Sequence, residues 1–297
     1  MKKIFIITLL SASFFSCEKT LELDADTKTS KLVVNSLFNE KQEWRIEVSK
    51  SLSVLDEGNL EFIDNAVVNI FDKNNNLLEQ IPYSFGYYES AIGLKPIAGE
   101  NYNIAVAVPD FATVTAEDFC PREVPILTVD TSSATNSFGE KELVATIRFQ
   151  DPAAEDNFYG LEVDLDVFQI TYNNGTGVFD TAFIDREIAY LSSANPILDN
   201  GGADSYAQTL TFNDAVINGQ SSSIRVSFSP GLEGSNYFYK KTARLISYSE
   251  ATYNYIKSID AYRNAEGNPF AEPVQVFSNI EKGFGIFGGR TISGFDF

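Results

Sequence analysis

Phe158-Tyr-Gly-Leu-Glu-Val-Asp-Leu-Asp-Val-Phe-Gln-Ile-Thr171 alternates apolar and polar side chains over most of its length. Asn173-Asn-Gly-Thr-Gly177 follows, and residues 178–191 resume a strand-like run. A period of two is the spacing of a strand with one buried face. Asn and Gly accept the left-handed backbone that a tight turn requires. The stretch predicts two long strands joined as a hairpin.

The same pattern extends outward in both directions. Residues 31–38 read as a strand, and Glu43-Trp-Arg-Ile-Glu-Val-Ser-Lys50 alternates as a half-buried strand does. Residues 66–71 and 77–81 flank Asp72-Lys-Asn-Asn-Asn76, a second hairpin, and 86–90, 99–108 and 112–119 are further strands. Roughly seven short strands in about 90 residues, with turn signals between them, predict a β-sandwich. Pro121, Pro125 and the Ser/Thr-rich residues 128–137 read as a junction. Strand patterning resumes at 142–149 and continues through 208–212, 223–228 and 237–248.

One helix interrupts the strands. Ser247-Tyr-Ser-Glu250 spells a capping box, in which a hydroxyl acceptor precedes a glutamate by three residues. Tyr248, Ala251, Tyr255, Ile259 and Tyr262 recur at spacings of three and four, which predicts one apolar face over about 249–265, with Gly267 as the stop. The predicted fold is all-β with minor α: two β-sandwich-like (immunoglobulin-like) units, 31–120 and 121–297, the second carrying the helix.

The first residues carry an export signal. Lys2 and Lys3 precede the apolar run Ile4-Phe-Ile-Ile-Thr-Leu-Leu10, and small residues lead to Ser16-Cys17. The apolar run is too short to span a bilayer, which takes about 20 residues. Ser16-Cys17 resembles the lipobox of bacterial lipoproteins, with Phe14 and Phe15 departing from its strictest form. The expectation is a signal peptide over 1–16, lipid on Cys17, and a flexible polar tether over 17–30.

Composition limits the chemistry of the remainder. The chain has 297 residues, a formal charge of −19 and no histidine. Removing residues 1–16 takes away two lysines and no acids, which makes the body more acidic still. Such a field repels phosphates and excludes a nucleic-acid partner. Without histidine there is no Ser-His-Asp triad, Cys-His pair or His-ligated metal. Cys120 is the one cysteine beyond Cys17, so no disulfide forms within the processed chain, and a structural role for Cys120 is expected. No catalytic residue, metal site or cofactor is predicted.

The candidate sites are therefore contact surfaces. Tyr83, Phe85, Tyr87 and Tyr88 cluster around Gly86, and tyrosine is enriched where proteins meet partners. Phe284 and Phe287 lie in the Gly-rich Glu281-Lys-Gly-Phe-Gly-Ile-Phe-Gly-Gly289, which suits close packing against the protein's own sandwich or a partner. Glu162, Asp164 and Asp166 share one face of their strand. Calcium sites place such acids on tight loops, so a solvated sheet face is expected.

Several segments together resemble a Bacteroidota lipoprotein family, domain-of-unknown-function family 4249. They include Lys31-Leu-Val-Val-Asn35, Asn213-Asp-Ala-Val-Ile-Asn-Gly219, Gly267-Asn-Pro-Phe-Ala-Glu-Pro273 and Asn279-Ile-Glu-Lys-Gly-Phe-Gly-Ile-Phe-Gly288. The resemblance covers essentially the whole mature chain. It implies a lipid-anchored outer-membrane protein facing the cell surface, with a TonB-dependent transporter as partner. It supplies no reaction. The expected function is a non-catalytic accessory subunit that captures or retains a ligand. The alternative is a stand-alone, adhesin-like binder of glycan or peptide, and a carboxylate-based hydrolase is the remote one.

Overall fold

The computed structural model describes residues 30–52, 59–153, 155–200, 202–231, 236–265, 272 and 274–297. The predicted signal peptide, Cys17 and nearly all of the tether lie outside them. In chain order the strands are β1 (Leu32–Phe38), β2 (Arg45–Lys50), β3 (Val67–Asp72), β4 (Leu77–Ile81), β5 (Tyr83–Ser84), β6 (Tyr87–Glu89), β7 (Asn101–Ala107), β8 (Val114–Phe119) and β9 (Ile126–Thr135). Then come β10 (Lys141–Gln150), β11 (Phe158–Asn173), β12 (Val178–Ile188), β13 (Leu191–Ser193), β14 (Gly202–Ala207), β15 (Leu210–Asn213), β16 (Ser221–Phe228) and β17 (Tyr237–Tyr248). The helix α1 (Glu250–Ala265) and β18 (Phe284–Asp296) close the chain. The fold is all-β with minor α, as the alternation predicts.

The strands form three sheets. The largest has nine strands in the order β12-β11-β17-β18-β1-β2-β6-β5, with β15 also on β11. A four-stranded sheet, β4-β3-β7-β8, faces one end of it, and a five-stranded sheet, β14-β13-β16-β10-β9, faces the other. Each facing pair encloses a core. The first gathers Val34, Trp44, Ile46, Ile70, Ile104 and Phe287; the second gathers Phe149, Tyr159, Leu161, Phe212, Ile224 and Leu245. Burial removes large apolar areas from water at about 25 cal/mol per Å², so these two seams dominate the stability.

The long sheet runs through both cores because of β18. It pairs parallel with β1 from Val33↔Phe284 and antiparallel with β17 up to Tyr248↔Arg290. Residue 120 is where the smaller sheets change over, yet Ile280 and Phe287 from the far end of the chain join the first core. The glycines of this stretch serve that packing. A Cβ on Gly285 (φ +106°) would stand 2.1 Å from the Val34 carbonyl oxygen, and one on Gly289 would stand 1.9 Å from that of Phe119.

Two local predictions are corrected. Residues 128–135 belong to β9 and pair in register with β10, rather than forming a junction. β9 is an edge strand exposed along most of its length, so polar Ser and Thr fit there although they read as loop. The helix keeps the expected span to within one residue, but its cap lies two residues later than the capping-box spelling suggests. Ser249, not Ser247, is the cap: its Oγ accepts from Thr252 N at 3.1 Å and its carbonyl from Tyr253 N at 2.9 Å. The packed face consequently carries Thr252, Tyr253 and Ile256, while Tyr262 is exposed and Tyr248 ends β17.

Candidate functional site

On β1 the even-numbered side chains, Leu32 to Phe38, point into the first core, and the odd-numbered ones face outward. Asn35 stands opposite Glu47 of β2 on one side and Ile286 of β18 on the other. Helix α1 lies along β18, and Tyr255 reaches from it towards Asn35. The result is a trough on the outer face of the long sheet, made of two adjoining depressions of 830 and 410 Å³ that share Asn35 and Tyr255.

The walls are pinned by specific hydrogen bonds. Phe277 N donates to Ser258 Oγ of α1 at 2.8 Å. Asn279 binds Phe287 of β18 twice, donating to its carbonyl at 2.7 Å and accepting from its N–H at 3.0 Å. The segment 274–280, which has no regular secondary structure, is thereby held as a fixed rim.

The floor mixes aromatic rings with planar polar groups. Phe284 lies at one end with Lys31 Nζ 4.9 Å above its ring, and Tyr87 at the other with the Arg45 guanidinium 3.6 Å from its centroid. Burial raises the Tyr255 hydroxyl above the usual phenol range, and the Glu47 carboxylate adds to the rise while Arg263 opposes it. Tyr255 therefore stays neutral and presents a hydroxyl that donates and accepts. Aromatic faces beside amides and carboxylates suit a polar ligand with hydroxyl or peptide groups.

A family model described as a domain of unknown function, DUF4249, matches residues 18–293. The chain belongs to that family. No curated protein matches it. Among solved structures, the DUF4249 chain is similar to the collagen binding domain of Erysipelothrix rhusiopathiae surface protein RspB, at 8% identity, over 89% of this chain and 97% of that one. The TM-score is 0.17, which carries no argument about function.

In this DUF4249 protein the predicted contact residues divide. Tyr87 and Phe284 line the two ends of the trough. Phe85 is fully exposed and Tyr83 is 41% exposed, both outside the trough. Tyr88 and Phe287, expected as contact residues, are core residues instead. Tyr88 is 1% exposed, accepts from Ala66 N at 2.7 Å and donates to the Ile63 carbonyl at 3.0 Å. Phe287 is fully buried and stacks on Trp44 at 5.8 Å. Asn35, Arg45 and Glu47 carry no contact signal in the sequence, and Tyr255 reads there only as part of the apolar face of the helix, because the four come together only when β1, β2 and α1 are assembled.

The acid row of this DUF4249 chain is also corrected. Glu162, Asp164 and Asp166 do share the outer face of β11, but they are not solvated. Arg244 of β17 lies 3.5 Å from Glu162 and 3.3 Å from Asp164, and Arg186 of β12 donates to Asp166 at 3.0 Å. The Arg186 hydrogen bond holds Asp166 below the usual carboxylate range. Cys120 is buried, and burial pushes its thiol up to about 12, so it is a neutral packing group. Among the described residues no helix is long and apolar enough to cross a membrane.

Proposed function

We propose that the chain is an exported lipoprotein, held at the outer membrane by lipid on Cys17 and facing the cell surface. Its body binds a ligand without chemistry and serves as an accessory subunit of a TonB-dependent transporter. The trough around Asn35 and Tyr255 is the observation that carries the binding reading: rigid walls, aromatic ends and a polar floor. Lack of histidine removes the usual bases and metal ligands, which favours binding over turnover. The transporter rests on the family resemblance alone.

A pull-down from native cells tests this reading. The full-length chain is tagged, extracted in mild detergent and captured. Near-stoichiometric recovery of a β-barrel transporter, lost in neither Tyr255→Ala nor Asn35→Ala, is expected. Those two substitutions instead remove retention of glycan or peptide by the captured complex. Recovery of the lipoprotein alone, from cells expressing the transporter, overturns the accessory role and leaves the stand-alone binder. Cys17→Ala releases the protein from membranes if the anchor is as proposed; a membrane-bound variant defeats it.

A further inference from the structure

The apolar phase of β11 inverts along its length. Up to Val167 the odd-numbered residues Leu161, Val163 and Leu165 fill the second core, and the even-numbered Glu162, Asp164 and Asp166 lie on the outer face. From Phe168 onward the even-numbered positions are apolar: Phe168, Ile170 and Tyr172 continue the outer face, while Gln169 and Thr171 take the inner one. The change coincides with an irregularity in the β11–β12 pairing between Val167 and Phe168. Because β12 carries the extra residue there, its side chains invert in step. Phe183 stands opposite Phe168 and Phe179 opposite Tyr172.

The inverted portion is an arm. β17 stops pairing at Gln169↔Tyr237, and β11 and β12 run on together to Asn173↔Val178. Its outer face is a block of aromatic rings. Phe168 stacks on Phe238 at 4.8 Å and meets Phe183 edge-on at 5.8 Å, and Tyr172 meets Phe179 at 5.1 Å. Phe179 is 70% exposed and Phe183 56% exposed, so nothing in the described chain covers them. β12 is the last strand of the long sheet; its outer edge pairs with no strand among the described residues, and ten of its eleven residues are exposed. Val178-Phe-Asp-Thr-Ala-Phe-Ile184 has neither the proline nor the lysine that commonly protects a sheet edge.

We infer that β12 is a docking edge for an extended segment of a different polypeptide, which adds as a strand and lays apolar side chains against Phe179 and Phe183 and basic ones against the acids of the edge. The free backbone ladder selects a strand. The aromatic block selects apolar groups at alternate positions. Charge selects between partners. β12 carries Asp180, Asp185 and Glu187 against Arg186, on a chain of net charge −19. A second copy would meet that field with its own, whereas a basic strand complements it. This inference is independent of the trough, which lies at the β1–β2 end of the sheet.

The test uses the full-length chain in detergent and three synthetic nine-residue peptides. The first alternates valine and lysine, the second alternates valine and glutamate, and the third is the lysine peptide with alternate backbone amides N-methylated. Fluorescence anisotropy measures binding, and hydrogen exchange locates it. The lysine peptide is expected to bind and to slow exchange of amides in residues 178–186. The glutamate and N-methylated peptides are expected to bind at least tenfold more weakly. Phe179→Ser with Phe183→Ser, at exposed positions that leave the core intact, should weaken the lysine peptide by a similar factor. Unchanged exchange in β12, or equal binding of the N-methylated peptide, overturns strand addition. Sedimentation of the chain alone supplies the last outcome: a dimer abolished by the double substitution assigns the edge to a second copy and overturns the inference.

Discussion

The carboxylate of Asp118 accepts a hydrogen bond from the backbone N–H of Gly289 at 2.8 Å. The same oxygen accepts from the hydroxyl of Ser249, the cap of α1. One side chain at the end of β8 thus ties together the four-stranded sheet, the helix and the strand that joins the two cores. Burial is the main influence on this group and pushes its pKa to about 6, against the hydrogen bonds that lower it.

That value sets a pH dependence. The folded pKa lies above the unfolded one, so the folded state binds the proton more tightly. The group favours folding at low pH, and that contribution is lost as pH rises from about 4 through about 6. Asp118→Asn keeps an acceptor for Gly289 and removes the ionisation. Between pH 4 and 7.5 its stability relative to the natural chain should rise by on the order of 2 kcal/mol, allowing for partial exposure of the side chain. Urea unfolding of both proteins across that range checks it, and parallel pH curves would refute it.

Phe287 and Phe284 lie three positions apart, on opposite faces of the sheet. Phe287→Ala opens a cavity beside Trp44 and Phe38 and should cost about 3–5 kcal/mol. Phe284→Ala, at a position 42% exposed, should cost under about 1 kcal/mol. Denaturant midpoints at equal m-value decide this.

Gly289→Ala should destabilise the chain by more than about 2 kcal/mol, since its Cβ would overlap the Phe119 carbonyl and separate β18 from β8. Gly294→Ala is the control: its Cβ would sit at ordinary contact, 3.5 Å from Thr242, and change little. Thermal unfolding of the two variants should differ by several degrees.

Arg244 is the cation shared by Glu162 and Asp164. Arg244→Met leaves two carboxylates on a mostly buried face and should cost about 2 kcal/mol, with Asp164→Asn restoring part of the loss in the double variant. Additive losses in that double-mutant cycle would mean that the pair is not coupled.

Much of the fold was legible because strand spacing is a local property. The limits of β1, β11 and β17 follow from alternation, and the Asn-Gly turn after β11 from backbone preference. β9 was read as a junction because an edge strand needs few apolar groups. The span of α1 was legible to within one residue, but its cap was not, because Ser247 and Ser249 are equivalent caps in sequence; only the positions of Asp118 and Gly289 choose Ser249. Of the candidate contact residues, Tyr87 and Phe284 reached the trough. Tyr88 and Phe287 did not, because strand alternation sends neighbouring aromatics to opposite faces and composition cannot say which face is inner.

Local pattern was enough for the β class, the two hairpins, the helix over 250–265 and the absence of histidine chemistry. These depend on neighbours within a few residues or on counting. Tertiary structure alone decided that β18 lies parallel to β1 and carries one sheet through both cores, that Asn35 meets Tyr255, and that Arg186 and Arg244 cover the acid row. Those contacts join residues up to about 250 positions apart, and no local pattern encodes them. They are fixed when strands remote in the chain lower their free energy by pairing their edges and sharing a buried face.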